Sequence, residues 1–365
     1  MNSIKINNTP VRTSRNYNIN NILINGFVFP SNNEFNNFNF KDFDSDNLKI
    51  TNAVSDFKLT YGTGEILENQ VKEHANCKIR IEILNSSDKE NILNFIFDAN
   101  NRCLINCIEI IANENIKANV TIRLANEYTD NDVESFYNGI ITANLMKNSE
   151  VNLTFVNLLS GNAKSFISIE NEIDSGAKLN YSIVDFGGSL SVSNYFVNLK
   201  GKESYNKVNT IYLGSSDEVI DMNYIAHVKG EKSRVFMDAQ GAIKDKSKKH
   251  FKGTIDFKRG SKKSEGAENE FCMLLSDTAK SISLPMLLCD EEDVSGNHSA
   301  ASGKADNKEL FYLMSRGFNE QEAKTLLVYA KFNKVIENIT NEELRKEILF
   351  EINKRLGSES FLFNN

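Results

Sequence analysis

The sequence predicts a mainly β fold, a β-solenoid core with a small α-helical domain after it. Three observations carry that prediction. Alternating apolar and polar runs begin near Cys77 and persist for about two hundred residues. Small or polar turns recur along that stretch at roughly 25 to 30 residues, the spacing of stacked coils. Three helix-capping patterns then follow one another in roughly the last sixty residues.

Taken in order, residues 1–75 form an Asn-rich N-terminal region. Residues 18–21 and 31–46 set asparagines among aromatic side chains, a composition that disfavours regular helix and favours loops and short strands. Residues 76–304 form the solenoid. Its strands read out of residues 78–83, 119–124, 151–156, 178–183 and 207–212, where apolar side chains alternate with polar ones. Turns at 147–150, 174–177, 200–203, 230–233 and 259–262 introduce the strands. A large antiparallel sandwich is the alternative, and it needs two-residue hairpin turns that are scarce here.

Residues 305–365 form the helical domain. Asp306 with Glu309, Asn319 with Glu322 and Thr340 with Glu343 have the capping-box spacing. A short polar side chain takes an orphan amide while the Glu reaches back. Helical spacing continues behind each: Leu310, Phe311, Leu313 and Met314, then Leu326, Leu327 and Ala330, then Leu344, Ile348, Ile352 and Leu356. The three helices are expected to cap the end of the solenoid and hide its last open edge.

Composition narrows the function. Hydrophobic residues make up 40% and charged residues 25% of 365, as in a soluble globular protein. A formal net charge of −7 removes the average attraction to phosphate backbones, so nucleic acid is not an expected partner. The basic run at 244–249 still offers a patch for an acidic partner. No apolar run approaches the roughly 20 residues that cross a bilayer, and residues 1–15 lack the apolar centre of a secretory signal. A cytoplasmic protein without a membrane partner is expected. Five cysteines, Cys77, Cys103, Cys107, Cys272 and Cys289, contain no CxxC pair and fit a reducing compartment.

Motifs for catalysis are missing: no P-loop, HExxH, GxSxG or EF-hand loop is present, and the four histidines are dispersed. The chain therefore reads as a non-enzyme. The enzyme alternative is a carbohydrate-active hydrolase or lyase on a solenoid, using paired acids such as Glu291 and Glu292; the same acids also read as a solvated turn. Cys103 and Cys107 share a strand face and, with Cys77 and Cys272, read as core thiols. Cys289 differs because it ends an apolar run and enters the acidic turn 290–293, with His298 soon after. Thiolate, carboxylates and imidazole can converge there; a core thiol beside a solvated turn is the other reading.

One ordered series stands apart. His227, Gly230, Ser233, Asp238, Gly241, Ala242 and Asp245 precede FKGTI at 251–255, then Leu274, Leu275, Ser276, Ala279 and Pro285. DVSGNHSAASG at 293–303 and LFYLMSRGF at 310–318, with Glu322 and Ala323, complete it. The series resembles the SufB/SufD family of iron–sulfur cluster assembly scaffolds, over roughly the last third of the chain.

That resemblance implies a right-handed parallel β-helix whose C-terminal helical domain docks a SufC-type ABC ATPase. ATP hydrolysis belongs to that partner, so this chain has no ATP site of its own. It also implies pairing through the β-helix with a SufB-type protomer or a second copy of the chain. An iron–sulfur cluster forms transiently at their interface, supplied indirectly by a cysteine desulfurase system. In the family's pattern a SufB-type subunit carries a cysteine two positions before the motif histidine, and a SufD-type subunit offers the histidine. Gly296 stands at the cysteine's place and His298 matches the histidine, so the resemblance is SufD-like. Leu288 replaces a Glu that many relatives carry, and Cys289 follows it. The resemblance thus makes His298, Cys289, Glu291 and Glu292 the candidate cluster-handling residues, with His298 either a ligand or an interface hydrogen-bonding residue. Phe311, Tyr312, Leu313, Arg316 and Gly317 are the candidates for the ATPase contact or for the fold beneath it. Arg316 is read as an unpaired charge at a helix end, and Gly317 as a backbone requirement.

Overall fold

The computed structural model describes residues 3–12, 19–31, 33–127 and 134–357. Asn18 and Asn32, two asparagines of the N-terminal region, lie outside them. The chain opens with β1 (Ser3–Ile6), β2 (Ile22–Asn25), β3 (Phe38–Lys41), β4 (Leu48–Thr51) and α1 (Glu65–His74). Eight strand pairs follow. They are β5 (Cys77–Ile83) with β6 (Glu90–Phe97), β7 (Cys103–Ala112) with β8 (Lys117–Asn126), β9 (Phe136–Leu145) with β10 (Glu150–Asn157), and β11 (Lys164–Ile173) with β12 (Lys178–Asp185). Then come β13 (Leu190–Leu199) with β14 (Tyr205–Gly214), β15 (Val219–Val228) with β16 (Arg234–Ile243), β17 (Lys248–Phe257) with β18 (Ser264–Leu274), and β19 (Lys280–Cys289) with β20 (Val294–Lys304). Three helices end the described chain: α2 (Asn307–Ser315), α3 (Glu320–Ile336) and α4 (Glu342–Leu356).

Each pair is one coil of a parallel β-solenoid. The first member of every pair joins a first sheet, ordered β19-β17-β15-β13-β11-β9-β7-β5-β4, and the second member a second sheet, ordered β20-β18-β16-β14-β12-β10-β8-β6-β3. Neighbours from β5 and β6 onward are parallel and in register, so like residues stack. Asn152 donates to Asn119 at 2.8 Å and Asn180 to Asn152 at 2.9 Å, one coil apart each time. The predicted turns are corners of these coils. Asn148, Gly176, Glu203, Lys232 and Lys263 take up left-handed φ of 57 to 68°. Each donates its amide to the next coil at 2.6 to 3.0 Å. At Gly230 a Cβ would sit 1.8 Å from the Gly201 carbonyl oxygen, so the corner is close-packed through glycine.

Alternation along the strands sends one side chain in two into the lumen, a continuous core from Phe35 and Leu48 to Phe251, Ile255 and Phe257. The outward faces are covered too. The first sheet's outer face lies under the N-terminal region and α1, where Ile6, Phe27, Leu67 and Val71 meet Cys103, Cys107, Phe166 and Val192. The second sheet's outer face lies under α3 and α4, where Phe332, Val335, Ile348 and Ile352 meet Val156, Phe186, Ile211 and Leu213. Strands such as β13, buried on both faces, follow from this double cover.

Two expectations are corrected. The helices do not cap the end of the solenoid: their apolar stripes answer the apolar outer face of the second sheet, which buries more surface than an end-on placement on a short edge. Nor is Lys249 part of a surface patch. It shares the inward phase of Phe251 and Ile255, is fully buried and meets Glu270 at 2.7 Å. The helix starts fall close to their signals. Asn319 and Glu322 form the complete capping box, and Asp306 accepts from the Lys308 amide. α4 is capped by Asn341, one residue later than expected, because Thr340 turns its hydroxyl to Glu90 on β6.

Candidate functional site at the open end of the solenoid

The last coil is where the candidate residues gather. β19 and β20 each pair on one side only, with β17 and β18. Register fixes which way their side chains point, because in-register parallel neighbours share a face. Ser281, Ser283, Pro285, Leu287 and Cys289 stand beside the inward Lys249, Phe251, Gly253, Ile255 and Phe257. Gly296, His298, Ala300 and Ser302 stand beside the inward Gly266, Glu268, Glu270 and Cys272. Among the described residues this lumen layer has no coil above it: Leu287 is 37% exposed, and β20 is exposed along almost its whole length.

Cys289 is the exposed cysteine among the five. Its thiol donates to the Glu291 carbonyl at 2.9 Å. Cys289, Glu291 and Glu292 line one depression of about 590 Å³ together with Phe257, Leu287, Asp290, Val294 and Gly296. Glu291 is tied to the corner before it, accepting from the Gly260 amide at 2.9 Å; that bond holds its carboxyl below the ordinary range. Glu292 is solvent-exposed in the same turn. His298 is exposed on β20, two residues past Gly296, and is not among the residues lining the depression. The structure therefore brings three of the four candidates together and sets the imidazole further along the same open layer. Among the described residues, no three His, Cys, Asp or Glu side chains converge to hold a metal ion.

The other cysteines are core thiols, as expected. Burial pushes Cys77 and Cys107 up to about 12 and Cys103 up to about 11; Cys272, fully buried, is raised for the same reason. His227 serves the N-terminal region instead: Tyr61 packs edge-on against its ring and hydrogen-bonds Nε2 at 3.1 Å.

One layer beneath the open end lies a polar group that the sequence reading does not single out. Lys249, fully buried, donates to Glu270 Oε1 at 2.7 Å; Tyr212 donates to the same oxygen at 2.6 Å and Ser283 to Oε2 at 2.8 Å. Glu268 is also fully buried, but neither carboxylate oxygen has a hydrogen-bond partner. Burial, with the Glu270 charge adding to it, raises Glu268 to about 8. The available signal was phase: Glu268 and Glu270 alternate in step with Gly266 and Cys272.

The partner-binding candidates lie on α2, which buries none of its residues, and just past its C-terminal end. Phe311 is 74% and Tyr312 57% exposed, while Leu313 is half-buried. Arg316 lies over the Tyr312 ring at 5.2 Å, so it is engaged with an aromatic face rather than free. Gly317 follows it at φ +100° and donates to the Met314 carbonyl, the backbone role expected of it.

Comparison with known proteins decides the family. The profile described as SUF system FeS cluster assembly, SufBD core domain, matches residues 95–331. The chain belongs to the SufBD family. The matched range contains the last coil, α2 and most of α3, and so includes every candidate residue. Among similar SufBD proteins, the iron–sulfur cluster assembly protein SufD of Bacillus subtilis is 24% identical over 264 residues, 72% of this chain and 60% of the relative. The SufD of Escherichia coli is 27% identical over 234 residues, 62% of this chain and 53% of the relative. A SufBD family protein of Pyrococcus horikoshii is 33% identical over 151 residues, 40% of this chain and 33% of the relative. The chain is thus SufD-like, and its match spans little more than half the length of the SufD relatives.

Proposed function

We propose that the chain is a SufD-type scaffold subunit of a SUF iron–sulfur cluster assembly complex, and that it is not an enzyme in its own right. The observation that carries this reading is the bare last coil of a SufBD fold, which presents Cys289 and His298 on an exposed lumen layer. Unpaired edge strands take up another chain's strands readily. A SufB-type protomer, or a second copy of this chain, pairs there, and the nascent cluster is handled at that interface as cargo. Thiolate and imidazole suit iron, and the carboxylates of Glu291 and Glu292 complete a labile set that releases its load.

On this reading residues 76–304 are the scaffold, residues 1–75 its cover and residues 305–365 the docking domain for a SufC-type ABC ATPase. The exposed Phe311 and Tyr312 supply apolar contact area, and Leu313, Arg316 and Gly317 hold the surface in shape. Sulfur arrives indirectly from a cysteine desulfurase system, in the cytoplasm. A carbohydrate-active solenoid is the weaker reading, since Glu291 is bound into a corner and the family match points elsewhere.

Anaerobic co-expression with SufC-type and SufB-type chains tests the proposal by pull-down and absorbance. A stable complex is expected, with iron–sulfur absorbance that falls on His298→Ala or Cys289→Ala and with ATPase capture that falls on Arg316→Ala at unchanged Tm. A stable complex whose colour ignores both site variants would leave the subunit a structural one. No complex at all would remove the proposal.

A further inference from the structure

Glu268 has no task in the fold. It is fully buried and both carboxylate oxygens lack a partner, so its removal from water is uncompensated, and an apolar side chain of similar size would serve stability better. Glu270, two residues on, makes the contrast: Lys249, Tyr212 and Ser283 all satisfy it. The chain supplies partners to one buried acid and withholds them from the other.

Two features give Glu268 a direction. Gly253 stands across the lumen, where a Cβ would lie 2.1 Å from Glu268 Oε1, so the opposite wall is cut back to admit the carboxylate. Its register partner on the open strand β20 is His298, on the same face and about 4.8 Å away between strands. Small residues flank that position on the inward face of β20, Gly296 on one side and Ala300 on the other. His298 has no hydrogen-bond partner among the described residues.

We propose that the Glu268 carboxyl group positions His298, one of its oxygens accepting the N–H of one ring nitrogen so that the other, directed to the open end, is held unprotonated for whatever docks there. The inference rests on the reading of His298 given above. A histidine that ligates through one nitrogen ordinarily gives the proton on its other nitrogen to a carboxylate, which fixes both tautomer and ring orientation.

Glu268→Met removes the acceptor and fills the space; Glu268→Gln keeps an acceptor. In the co-expressed complex, Glu268→Met should raise Tm yet lower cluster loading about tenfold, the usual loss when such a partner is removed, and Glu268→Gln should retain most of the loading. In the full chain, ring 15N signals of His298, identified by their loss in His298→Gln, should report one dominant tautomer in the wild type and in Glu268→Gln, and a changed tautomer balance in Glu268→Met. Loading and Tm that fall together would assign Glu268 a merely structural role and overturn the proposal, as would ring signals identical in all three proteins. If His298→Ala itself leaves loading intact, the functional reading of His298 fails, while the ring signals still decide whether Glu268 directs it.

Discussion

The two ends of the solenoid are built oppositely. At the first coil, β3 and β4 run antiparallel onto β6 and β5 and close both sheets, and Phe35, Phe40, Phe43 and Leu48 pack down on the lumen. At the last coil nothing is added among the described residues: β19 and β20 keep one free edge each, and the layer between them is small, polar or half-exposed. Proteins ordinarily blunt free edges with charge, proline or cover. One end is therefore finished for stability, and the other has the form of an interface, which is why the pairing proposed above is placed there.

The largest expected effect breaks the comparison at its closed end. Phe95, fully buried against Phe35 and Phe38, should cost about 3–5 kcal/mol when replaced by Ala. Leu287→Ala at the open end should cost less than about 1 kcal/mol, in keeping with its partial exposure. Denaturant unfolding measures both. A Leu287→Ala cost that approaches that of Phe95→Ala and grows with protein concentration would show that the open end is already covered by another copy.

A somewhat smaller effect is expected where the N-terminal region grips the first sheet. Asp221, fully buried, takes Lys252 at 2.6 Å, Asn7 at 2.6 Å and His250 at 3.3 Å. Lys252→Ala leaves that carboxylate short of its counter-charge and should cost about 3 kcal/mol, the low end for such a loss, since Asn7 and His250 remain. Equilibrium unfolding at pH 7 checks it; a neutral outcome would mean that the pair contributes only geometry.

The smallest effect sharpens the comparison through pH, because the two regions respond in opposite senses. Burial alone would raise Asp221, but Lys252 and His250 outweigh it and hold the carboxyl below its ordinary value. Its stabilisation is present above about pH 4 and is lost as pH falls through the lower folded value. Glu268, at about 8 in the folded chain, keeps a proton that the unfolded chain releases near pH ~4.3. Stability then falls as pH rises from about 4.3 towards 8. Glu268→Gln should flatten the curve between pH 5 and 8 and leave the acid limb unchanged. Parallel curves for variant and wild type would refute the assignment.

Much of the architecture was legible in the alternation of strands such as β5 and β12, and the polar corners marked the coils because each needs a left-handed residue or a close backbone approach. The side on which the helices pack was not legible, since α3 and α4 carry the same apolar stripe whether it meets an end or a flank. Lys249 misled for a related reason: a lysine in a basic run reads as solvated, and its partner Glu270 lies 21 residues on, across the lumen on the other strand of the same coil. At the open end, Cys289 and His298 stood out through the motif. Glu268 did not, because only strand pairing places it beside His298 and only the closed lumen strips it of water.

The grip of the N-terminal region on the first sheet has a consequence for folding. Coils contact their nearest neighbours, so the solenoid can grow outward from any coil that forms. Asn7, however, bonds to Ser193 and Asp221 and accepts from Lys252, residues spread over three successive coils. The last of these bonds can form only after the 245 residues that follow Asn7, up to Lys252, have been made and those coils have stacked. An early segment is thus fastened late, and its fastening reports that the middle of the protein is complete.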